Sequence, residues 1–370
     1  MTLPDRSPPA HGGRLDIASR HYGIARAQWL DLSTGINPWP FPMTPIDAAA
    51  CRALPDANAD LIEAAEGYYF NTAGFDTTES GKGIGTILAI PGSQWAIERL
   101  PYFFEKGVVA LPDIGYREHA WCWQTAGHEA MFYDPDRLET SLFDDASASA
   151  LRAVVVINPN NPGGQHHSRE CLCHLAGKLA EHGVFLVVDE AFADTAPDKS
   201  LLPGRPDNVL VLRSLGKFFG LAGLRLGFAI GAGDDTSPLG WLQTRASPWM
   251  ISSPAQTAGR EALEAKEWQR RMRERLSLSG SAQGQWWLAR LKARGAIRRH
   301  RTGTLFNGFD MASEQAQRWH EALARQGVLT RLWQVDKRRA IIRIGLHDEN
   351  DATVRRLEQA LLHLPSGRER

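Results

Sequence analysis

The sequence predicts an α/β protein, with a mostly parallel seven-stranded sheet covered by helices on both faces and a smaller α+β domain after it. Between about residues 80 and 235, short apolar runs alternate with amphipathic stretches. Runs of this length and continuity are typical of strands that are buried on both faces. After Pro248 the chain changes to long, highly charged helical stretches beside a few strands. A length of 370 residues also favours two domains.

Seven apolar runs are the predicted strands of the large sheet: Thr86–Ile90, Val108–Leu111, Glu129–Phe132, Ala153–Ile157, Val184–Val188, Val209–Leu212 and Leu226–Ile230. Helical periodicity separates several of them, as in Arg169–His182, which ends at Gly183. Strands that alternate with helices favour parallel pairing, because each crossover helix then covers one face of the sheet.

The remainder of the chain predicts an extended arm and a small domain. Residues 1–40 hold many Pro, Gly and aromatic residues with little periodicity, which indicates the arm. We therefore predict an N-terminal arm over residues 1–40, a large domain over 41–247 and a small domain over 248–370. In the small domain we expect helices at Gln256–Leu278, Gln283–Arg294, Glu314–Arg325 and Asp351–Leu362, and strands near Gly303–Phe309, Val328–Trp333 and Arg339–Leu346.

Composition excludes several classes of protein. The 42 Lys and Arg residues balance the 42 Asp and Glu residues, so the chain lacks the basic excess of a general nucleic-acid binder. No run reaches the roughly eighteen apolar residues of a membrane span. The N-terminal residues are polar and lack the apolar core of a secretory signal. Four cysteines are too few for a disulfide scaffold, and we expect a cytoplasmic protein.

One cluster resembles a metal site by composition alone, namely His166, His167, Cys171, Cys173 and His174. The spacing does not match a Cys-x-x-Cys knuckle, and the two cysteines would lie about 200° apart around a helix. We therefore expect solvated histidines and buried helix cysteines, and no metal.

The segment from Ser214 to Gly227 carries the strongest chemical signal. Its single lysine, Lys217, stands among small and apolar residues. Desolvation lowers the pKa of a lysine and makes its amine a nucleophile that can form a Schiff base. Ser214 and Arg225 flank it with a hydroxyl and a fixed cation, which suit a phosphate group. The alternative is a glycine-rich turn with a surface lysine.

Polar residues follow two neighbouring predicted strands. Asp189 stands at the carboxyl end of a buried strand, where ligands bind in open α/β sheets. A buried carboxylate requires a cationic partner, and a protonated pyridine nitrogen would supply one. Asn161 follows the strand Ala153–Ile157 and can donate an amide hydrogen to a phenolate oxygen, although asparagine also favours Pro/Gly turns of this kind.

Two further segments follow strands in the same way. Gly92, Ser93 and Gln94 lie between a strand and an amphipathic helix, where backbone N–H groups and a hydroxyl can bind an anion. Tyr116 follows the strand Val108–Leu111 and can stack on a flat ring.

Together and in this order, Asn161, Asp189, Lys217 and Arg225 resemble the fold-type-I pyridoxal-phosphate enzymes, the aspartate aminotransferase superfamily. The resemblance covers nearly the whole chain and implies a homodimer with its site at the subunit interface. It implies that Lys217 forms the Schiff base with pyridoxal phosphate and that Asp189 pairs with the pyridine N–H, keeping the ring an electron sink. It further implies that Asn161 holds the 3′-oxygen, that Tyr116 stacks on the ring, and that the cofactor phosphate is bound by Gly92, Ser93, Gln94, Ser214 and Arg225.

The N-terminal arm narrows the resemblance. His11–Arg14 and Trp29–Pro38 look like the opening of the threonine-phosphate decarboxylases of cobalamin biosynthesis. The similar histidinol-phosphate aminotransferases usually carry Asn-Glu-Asn-Pro where this chain has Gly-Ile-Asn37-Pro. This resemblance implies that Arg343 binds the substrate α-carboxylate, that Arg331 contributes to binding its phosphate, and that Asn37 orients the substrate.

The implied reaction is decarboxylation of L-threonine O-3-phosphate to (R)-1-amino-2-propanol O-2-phosphate. An aminotransferase acting on histidinol phosphate or another amino acid is the alternative, because it would share every cofactor residue. A regulator that binds the cofactor without catalysis would need a DNA-binding domain, for which forty residues leave no room. A dinucleotide-binding protein is disfavoured, because no Gly-x-Gly-x-x-Gly follows the first predicted strand.

Three positions depart from the pattern of the superfamily. Phe192 replaces the common tyrosine three residues after the aspartate, so it offers no phenol to the 3′-oxygen. Gly163 stands where a threonine hydroxyl is usual. Leu54 replaces the tyrosine that reaches the cofactor phosphate of the partner subunit, which weakens that intersubunit contact.

Overall fold

The computed structural model describes residues 8–55, 57–70, 85–138 and 151–366. The chain forms two compact units. The first holds Pro40–Asn161 and Gln165–Arg271, and the second holds Ala10–Trp39, Pro162–Gly164 and Met272–Arg370. The domain boundaries expected from the sequence, at residues 40 and 247, stay a prediction. No helix in the described ranges is long and apolar enough to cross a membrane.

The described residues form thirteen strands and ten α-helices. The strands are β1 (Leu30–Asp31), β2 (Thr86–Ile90), β3 (Val108–Pro112), β4 (Glu129–Tyr133), β5 (Leu151–Ile157), β6 (Phe185–Asp189), β7 (Val209–Ser214), β8 (Gly227–Gly231), β9 (Arg299–Thr302), β10 (Phe306–Ala312), β11 (Val328–Leu329), β12 (Arg331–Gln334) and β13 (Arg339–Gly345). The helices are α1 (Leu15–Tyr22), α2 (Ala59–Tyr69), α3 (Ser93–Arg99), α4 (Arg117–Thr125), α5 (Arg169–Ala180), α6 (Pro238–Gln243), α7 (Ser253–Glu264), α8 (Lys266–Lys292), α9 (Ser313–Arg325) and α10 (Asp351–Leu362).

The first unit is built on a seven-stranded sheet with the order β2-β8-β7-β6-β5-β3-β4. Five strands, β7, β6, β5, β3 and β4, run parallel to one another, whereas β8 pairs antiparallel with both β2 and β7. Every residue of the central strand β7 is buried, as its continuous apolar run predicts. The predicted α/β class and the seven predicted strands are therefore confirmed.

Parallel pairing brings the carboxyl ends of the central strands to one edge of this sheet. In the register, Ile157 of β5 lies opposite Asp189 of β6, and Asp189 lies opposite Leu212 of β7. The residues that follow these strands are therefore neighbours, although they are far apart in sequence.

The second unit contains the four-stranded antiparallel sheet β12-β13-β10-β9. Its core includes Trp287 of α8, Phe309 of β10 and Trp319 of α9, each 1% exposed or less. The arm belongs to this unit: β1 pairs in parallel with β11, and Leu32 joins the core at 1% exposure. The arm also contains helix α1, which its composition did not predict.

The predicted helix boundary between residues 278 and 283 is wrong, because α8 continues through it and the break lies at Ala265. Gly280 does not end the helix but permits close packing, since a β-carbon there would stand 2.4 Å from the carbonyl oxygen of Gly303. Three residues later, Gln283 donates to the carbonyl of His347 at 2.9 Å. Residues 278–283 therefore belong to α8 and pack with one face against other residues of the second unit; they do not form a loop between two helices.

Candidate active site

The loop that carries Lys217 joins β7 to β8 in the first unit. Lys217 is partly buried, and its Nζ lies 5.2 Å from the centre of the Phe192 ring. The next two side chains, Phe218 and Phe219, are fully buried. The Lys217 side chain is thus packed beside an aromatic ring in a largely buried loop.

The structure brings the predicted phosphate-binding residues together around Gly92. This residue has φ +77°, and a β-carbon on it would stand 2.7 Å from a guanidinium nitrogen of Arg225. Gly227 packs equally closely, since its β-carbon would stand 3.0 Å from the backbone nitrogen of Ser93. Ser214 lies opposite Gly227 in the sheet. The Arg225 guanidinium, the backbone nitrogen of Ser93 and Ser214 thus lie around a cradle at Gly92 and Gly227, where a larger side chain would not fit. A cation, backbone amides and a hydroxyl in this arrangement suit a phosphate group.

Asp189 is held by two hydrogen bonds and is 4% exposed. Its Oδ2 lies 3.0 Å from Nε2 of His119, and its Oδ1 accepts from the backbone N–H of Ala191 at 3.1 Å. His119 is 2% exposed, and the sequence analysis missed it. The available signal was its position three residues after Tyr116, which places both residues at the start of α4.

Tyr116 precedes the first residue of α4, and its environment keeps the hydroxyl protonated. Burial raises the pKa of Tyr116, and the negative charges of Glu118 and Asp189 raise it further. Its hydroxyl donates to Oε1 of Gln94 at 3.0 Å. The rings of Tyr116 and His119 pack edge to face, with centroids 6.2 Å apart and planes at 84°. Tyr116, the predicted stacking residue, therefore lies next to His119, which contacts Asp189.

The loop after β5 lies beside Asp189. The backbone N–H of Asn158 donates to the carbonyl oxygen of Asp189 at 2.9 Å. Asn160, which is 1% exposed, donates to the carbonyl of Ile114 at 2.6 Å and to Gln165 at 2.9 Å. These bonds hold the backbone from which the partly buried Asn161 projects.

A network of buried ion pairs, which was not predicted from the sequence, adjoins the predicted cofactor-binding residues at the ends of two strands. Arg213 bonds Glu190 at 2.6 Å and Asp194 at 2.5 Å, and all three side chains are at most 2% exposed. Burial alone would lower the pKa of Arg213, but the two carboxylates outweigh it and raise that pKa. Because Glu190 follows Asp189 and Arg213 precedes Ser214, the network ties together the ends of β6 and β7.

Two predicted substrate residues, Arg343 and Arg331, are neighbours in the second unit. They lie opposite one another on β13 and β12. Arg343 is 6% exposed and donates to the carbonyl oxygens of Ser33 and Thr34, the latter at 3.1 Å. Burial lowers the pKa of Arg343, nearby Arg331 lowers it further, and Asp31 opposes both effects. A bound anion would therefore stabilise this cation.

Arg331 also lines a cavity of about 300 Å³ in the second unit. The other side chains there that carry or can acquire positive charge are His11, Arg14, His21 and His320.

Asn37 is 2% exposed, and its Oδ1 accepts from the backbone N–H of Trp39 at 2.9 Å. Asn37 is not among the residues lining this cavity.

The remaining positions singled out from the sequence are placed as follows. Phe192 is 5% exposed and packs under Lys217, whereas Leu54 is 65% exposed. Asp56 lies outside the described residues. Over the described ranges, no three His, Cys, Asp or Glu side chains are grouped so as to hold a metal ion. In the His/Cys segment from His166 to His174, the ring of His166 contacts the carbonyl of His167 at 2.9 Å.

The fold and the residues at its sheet edge define a class of protein. The family model for aminotransferase class I and II matches residues 60–357, and the chain belongs to this family. A threonine-phosphate decarboxylase of Pseudomonas aeruginosa is 37% identical over 95% of this chain and 97% of its own length. Histidinol-phosphate aminotransferase 1 of Cupriavidus pinatubonensis is 28% identical over 96% of this chain and 94% of its own.

A solved structure shares the fold. Histidinol-phosphate aminotransferase from Sinorhizobium meliloti, in complex with pyridoxal-5′-phosphate, superposes with a TM-score of 0.70. It is 19% identical, with 97% of this chain and 95% of that chain covered. The family predicted from the sequence is thereby confirmed, along with its fold.

Proposed function

We propose that this chain is a pyridoxal-phosphate-dependent decarboxylase that converts L-threonine O-3-phosphate to (R)-1-amino-2-propanol O-2-phosphate and CO₂, a step of cobalamin biosynthesis. The observation that carries the proposal is the 37% identity, along almost the whole of both chains, to a protein named threonine-phosphate decarboxylase. The geometry of each unit supports it, because one holds a cofactor cradle and the other a cationic cavity.

The residues of the first unit fit the cofactor. When bound, pyridoxal phosphate supplies a conjugated ring that accepts the electrons of a bond broken at the substrate α-carbon. Lys217 would be the amine that forms the Schiff base with the cofactor. Asp189 would face a protonated ring nitrogen, and its carboxylate is held in place because His119 and the Ala191 N–H contact its two oxygens.

The other cofactor roles are those that the resemblance implies. Asn161 would donate its amide to the 3′-oxygen, and Tyr116 would cover one face of the ring. The phosphate group would be bound by Gly92, Ser93, Gln94, Ser214 and Arg225. Of these, Gly92, Ser93, Ser214 and Arg225 lie around the cradle described above, and Gln94 is the next residue of the same helix start. Arg225 supplies the positive charge, and the backbone around Ser93 supplies N–H donors.

The second unit supplies the groups that would bind and orient the substrate. Arg343, a desolvated guanidinium, would hold the α-carboxylate. Arg331 and its cationic cavity would hold the phosphate, which an unphosphorylated amino acid lacks. Asn37, whose side chain is held by the Trp39 N–H, would limit rotation of the bound substrate. Decarboxylation requires the bond to the carboxylate to stand perpendicular to the ring, and small errors in such alignment can cost about 10²-fold in rate.

The second candidate is an aminotransferase, and the 28% identity to a histidinol-phosphate aminotransferase is what favours it. The two reactions differ in which bond at the α-carbon breaks. The deciding experiment incubates the purified, cofactor-loaded protein with threonine phosphate, with and without 2-oxoglutarate. We expect CO₂ and the amino-propanol phosphate in both reactions. A keto product that requires 2-oxoglutarate, without CO₂, would establish the aminotransferase instead.

The proposal includes a cytoplasmic homodimer. The four cysteines are free thiols, which suits a reducing compartment. On the first unit, the large apolar side chains Ile46, Leu54 and Trp249 are each more than half exposed. A dimer in which the partner completes the cofactor site would cover such side chains.

A further inference from the structure

A chain of hydrogen bonds runs from a buried carboxylate, Glu118, through Gln94 to Tyr116. We propose that Glu118 is a positioning residue for the cofactor ring: it fixes the amide of Gln94 and thereby the hydroxyl direction and ring plane of Tyr116. The inference rests on the proposed cofactor site, but it is independent of which substrate the enzyme uses.

The first step is the orientation of the Gln94 amide. Its Nε2 lies 3.2 Å from Oε2 of Glu118 and 3.1 Å from Oε1 of Glu98. An ionised carboxylate accepts hydrogen bonds and cannot donate one, so both contacts require the NH₂ end of the amide. The amide of Gln94 is therefore held in one of its two flip states, with its oxygen directed elsewhere.

The second step is the direction of the Tyr116 proton. The amide oxygen of Gln94 lies 3.0 Å from the Tyr116 hydroxyl, and an amide oxygen can only accept. Tyr116 must therefore donate to it. Its one proton is committed to Gln94, so the phenol offers neighbouring groups only lone pairs. Tyr116 consequently acts as a ring platform and not as a proton donor to the cofactor or the substrate.

The third step is the plane of the ring. The Tyr116 ring meets His119 in an edge-to-face arrangement, with centroids 6.2 Å apart and planes at 84°. His119 is itself held by Asp189. The hydroxyl is thus anchored at one end through Gln94, and the ring is anchored along its side through His119. Glu118 and His119 both lie in the first turn of α4, so one turn of helix sets both anchors.

Two carboxylates contact the same nitrogen of Gln94, and they differ in burial. Glu118 is 7% exposed, whereas the side chain of Glu98 is 52% exposed. Water can replace the exposed Glu98 as an acceptor more readily than it can replace the buried Glu118. Without Glu118, the partly buried Gln94 amide can rotate to a new partner. Glu98→Gln is therefore the matched control, because Glu98 makes the same contact with Gln94 but is exposed to solvent.

The experiment compares Glu118→Gln, Glu98→Gln, Tyr116→Phe and the double variant Glu118→Gln/Tyr116→Phe with the wild type. Two properties are measured on protein reconstituted with pyridoxal phosphate: the cofactor dissociation constant, and the visible circular dichroism of the bound cofactor, which reports the orientation of its ring. A glutamine at position 118 can present either its oxygen or its NH₂ to Gln94, so it no longer fixes which way the Gln94 amide faces. We therefore expect Glu118→Gln to raise the dissociation constant about fivefold, the scale of one hydrogen bond, and to reduce the dichroic band. Glu98→Gln should stay within about twofold of the wild type.

The double variant tests whether Glu118 acts through Tyr116. Without the hydroxyl there is no proton to direct, so Glu118→Gln should add less than about twofold to the effect of Tyr116→Phe. Equal effects of Glu118→Gln in both backgrounds would overturn the proposal, as would an unchanged dichroic band. If Glu118→Gln does not fold, Gln94→Met replaces it and should show the same dependence on the Tyr116 hydroxyl. A wild-type protein that acquires no visible band would instead refute the proposed function.

Discussion

His119 Nε2 lies 3.0 Å from Asp189 Oδ2, and neither side chain is more than 5% exposed. Since the carboxylate can only accept, His119 donates this bond, and the Ala191 N–H donates to the other oxygen at 3.1 Å. Two donors on two oxygens hold the carboxylate in one plane. Stabilisation of a proton on the cofactor ring nitrogen by Asp189 therefore depends on this orientation of the carboxylate.

We expect His119→Ala to weaken binding of pyridoxal phosphate and to lower kcat about tenfold. The variant keeps the buried charge of Asp189 but removes one of its donors, a loss of about 1–3 kcal/mol. Cofactor titration and steady-state kinetics measure the two effects. His174→Ala, at an exposed position of α5, is the control and should behave as wild type. Wild-type cofactor affinity in His119→Ala would contradict this account.

Gly92→Ala tests the cofactor phosphate cradle. The new β-carbon would stand 2.7 Å from the Arg225 guanidinium, at a residue with φ +77°. Arg225 would have to move, and the backbone would carry about 1–3 kcal/mol of strain, so we expect cofactor affinity to fall at least tenfold.

The matched control for this variant is Gly177→Ala, because a β-carbon on that helical glycine meets nothing within 4 Å. It should leave cofactor affinity unchanged and stabilise the fold by up to about 1 kcal/mol. Equal cofactor affinity in both variants would show that the phosphate group binds elsewhere.

Lys217→Ala should abolish the covalent link to the cofactor. Wild-type protein is expected to be yellow, with an imine absorption band that borohydride bleaches, because Lys217 is the amine proposed to form the imine with the cofactor. The exposed Lys199→Ala variant should retain the band. A borohydride-reducible imine that persists at the site in Lys217→Ala would rule out Lys217 as the linking residue.

Arg343→Ala and Arg331→Ala should separate the two ends of the substrate. Removing Arg343 should weaken binding of every amino acid tested, because each carries an α-carboxylate, whereas removing Arg331 should erase the preference for threonine phosphate over threonine. Each lost contact to a charged group is expected to cost about 2–5 kcal/mol, read from kcat/KM for both substrates. Arg325→Ala, whose guanidinium is 68% exposed, serves as the control. A retained preference in Arg331→Ala would move the phosphate site away from this arginine.

The chain alone was sufficient to predict the seven-stranded sheet and the surroundings of the cofactor residues. Strands buried on both faces appear as continuous apolar runs, and parallel strands end at one edge. Asp189 is the last residue of β6 and Ser214 the last of β7, so their proximity follows from the order of the strands. The strand β9 escaped prediction, because its four residues, Arg299–Thr302, include no apolar run.

Tertiary structure decided which polar groups meet. The spacing of His119 from Tyr116 places it at the start of α4 but does not name its partner, and packing of α4 brings it to Asp189. The pairing of Arg213 with Glu190 and Asp194 likewise depends on two adjacent strands presenting their ends together. Local patterns report which residues are buried, because burial follows the period of the helix or strand. They do not report partners, because a hydrogen bond or an ion pair depends on the relative placement of elements that are distant in sequence.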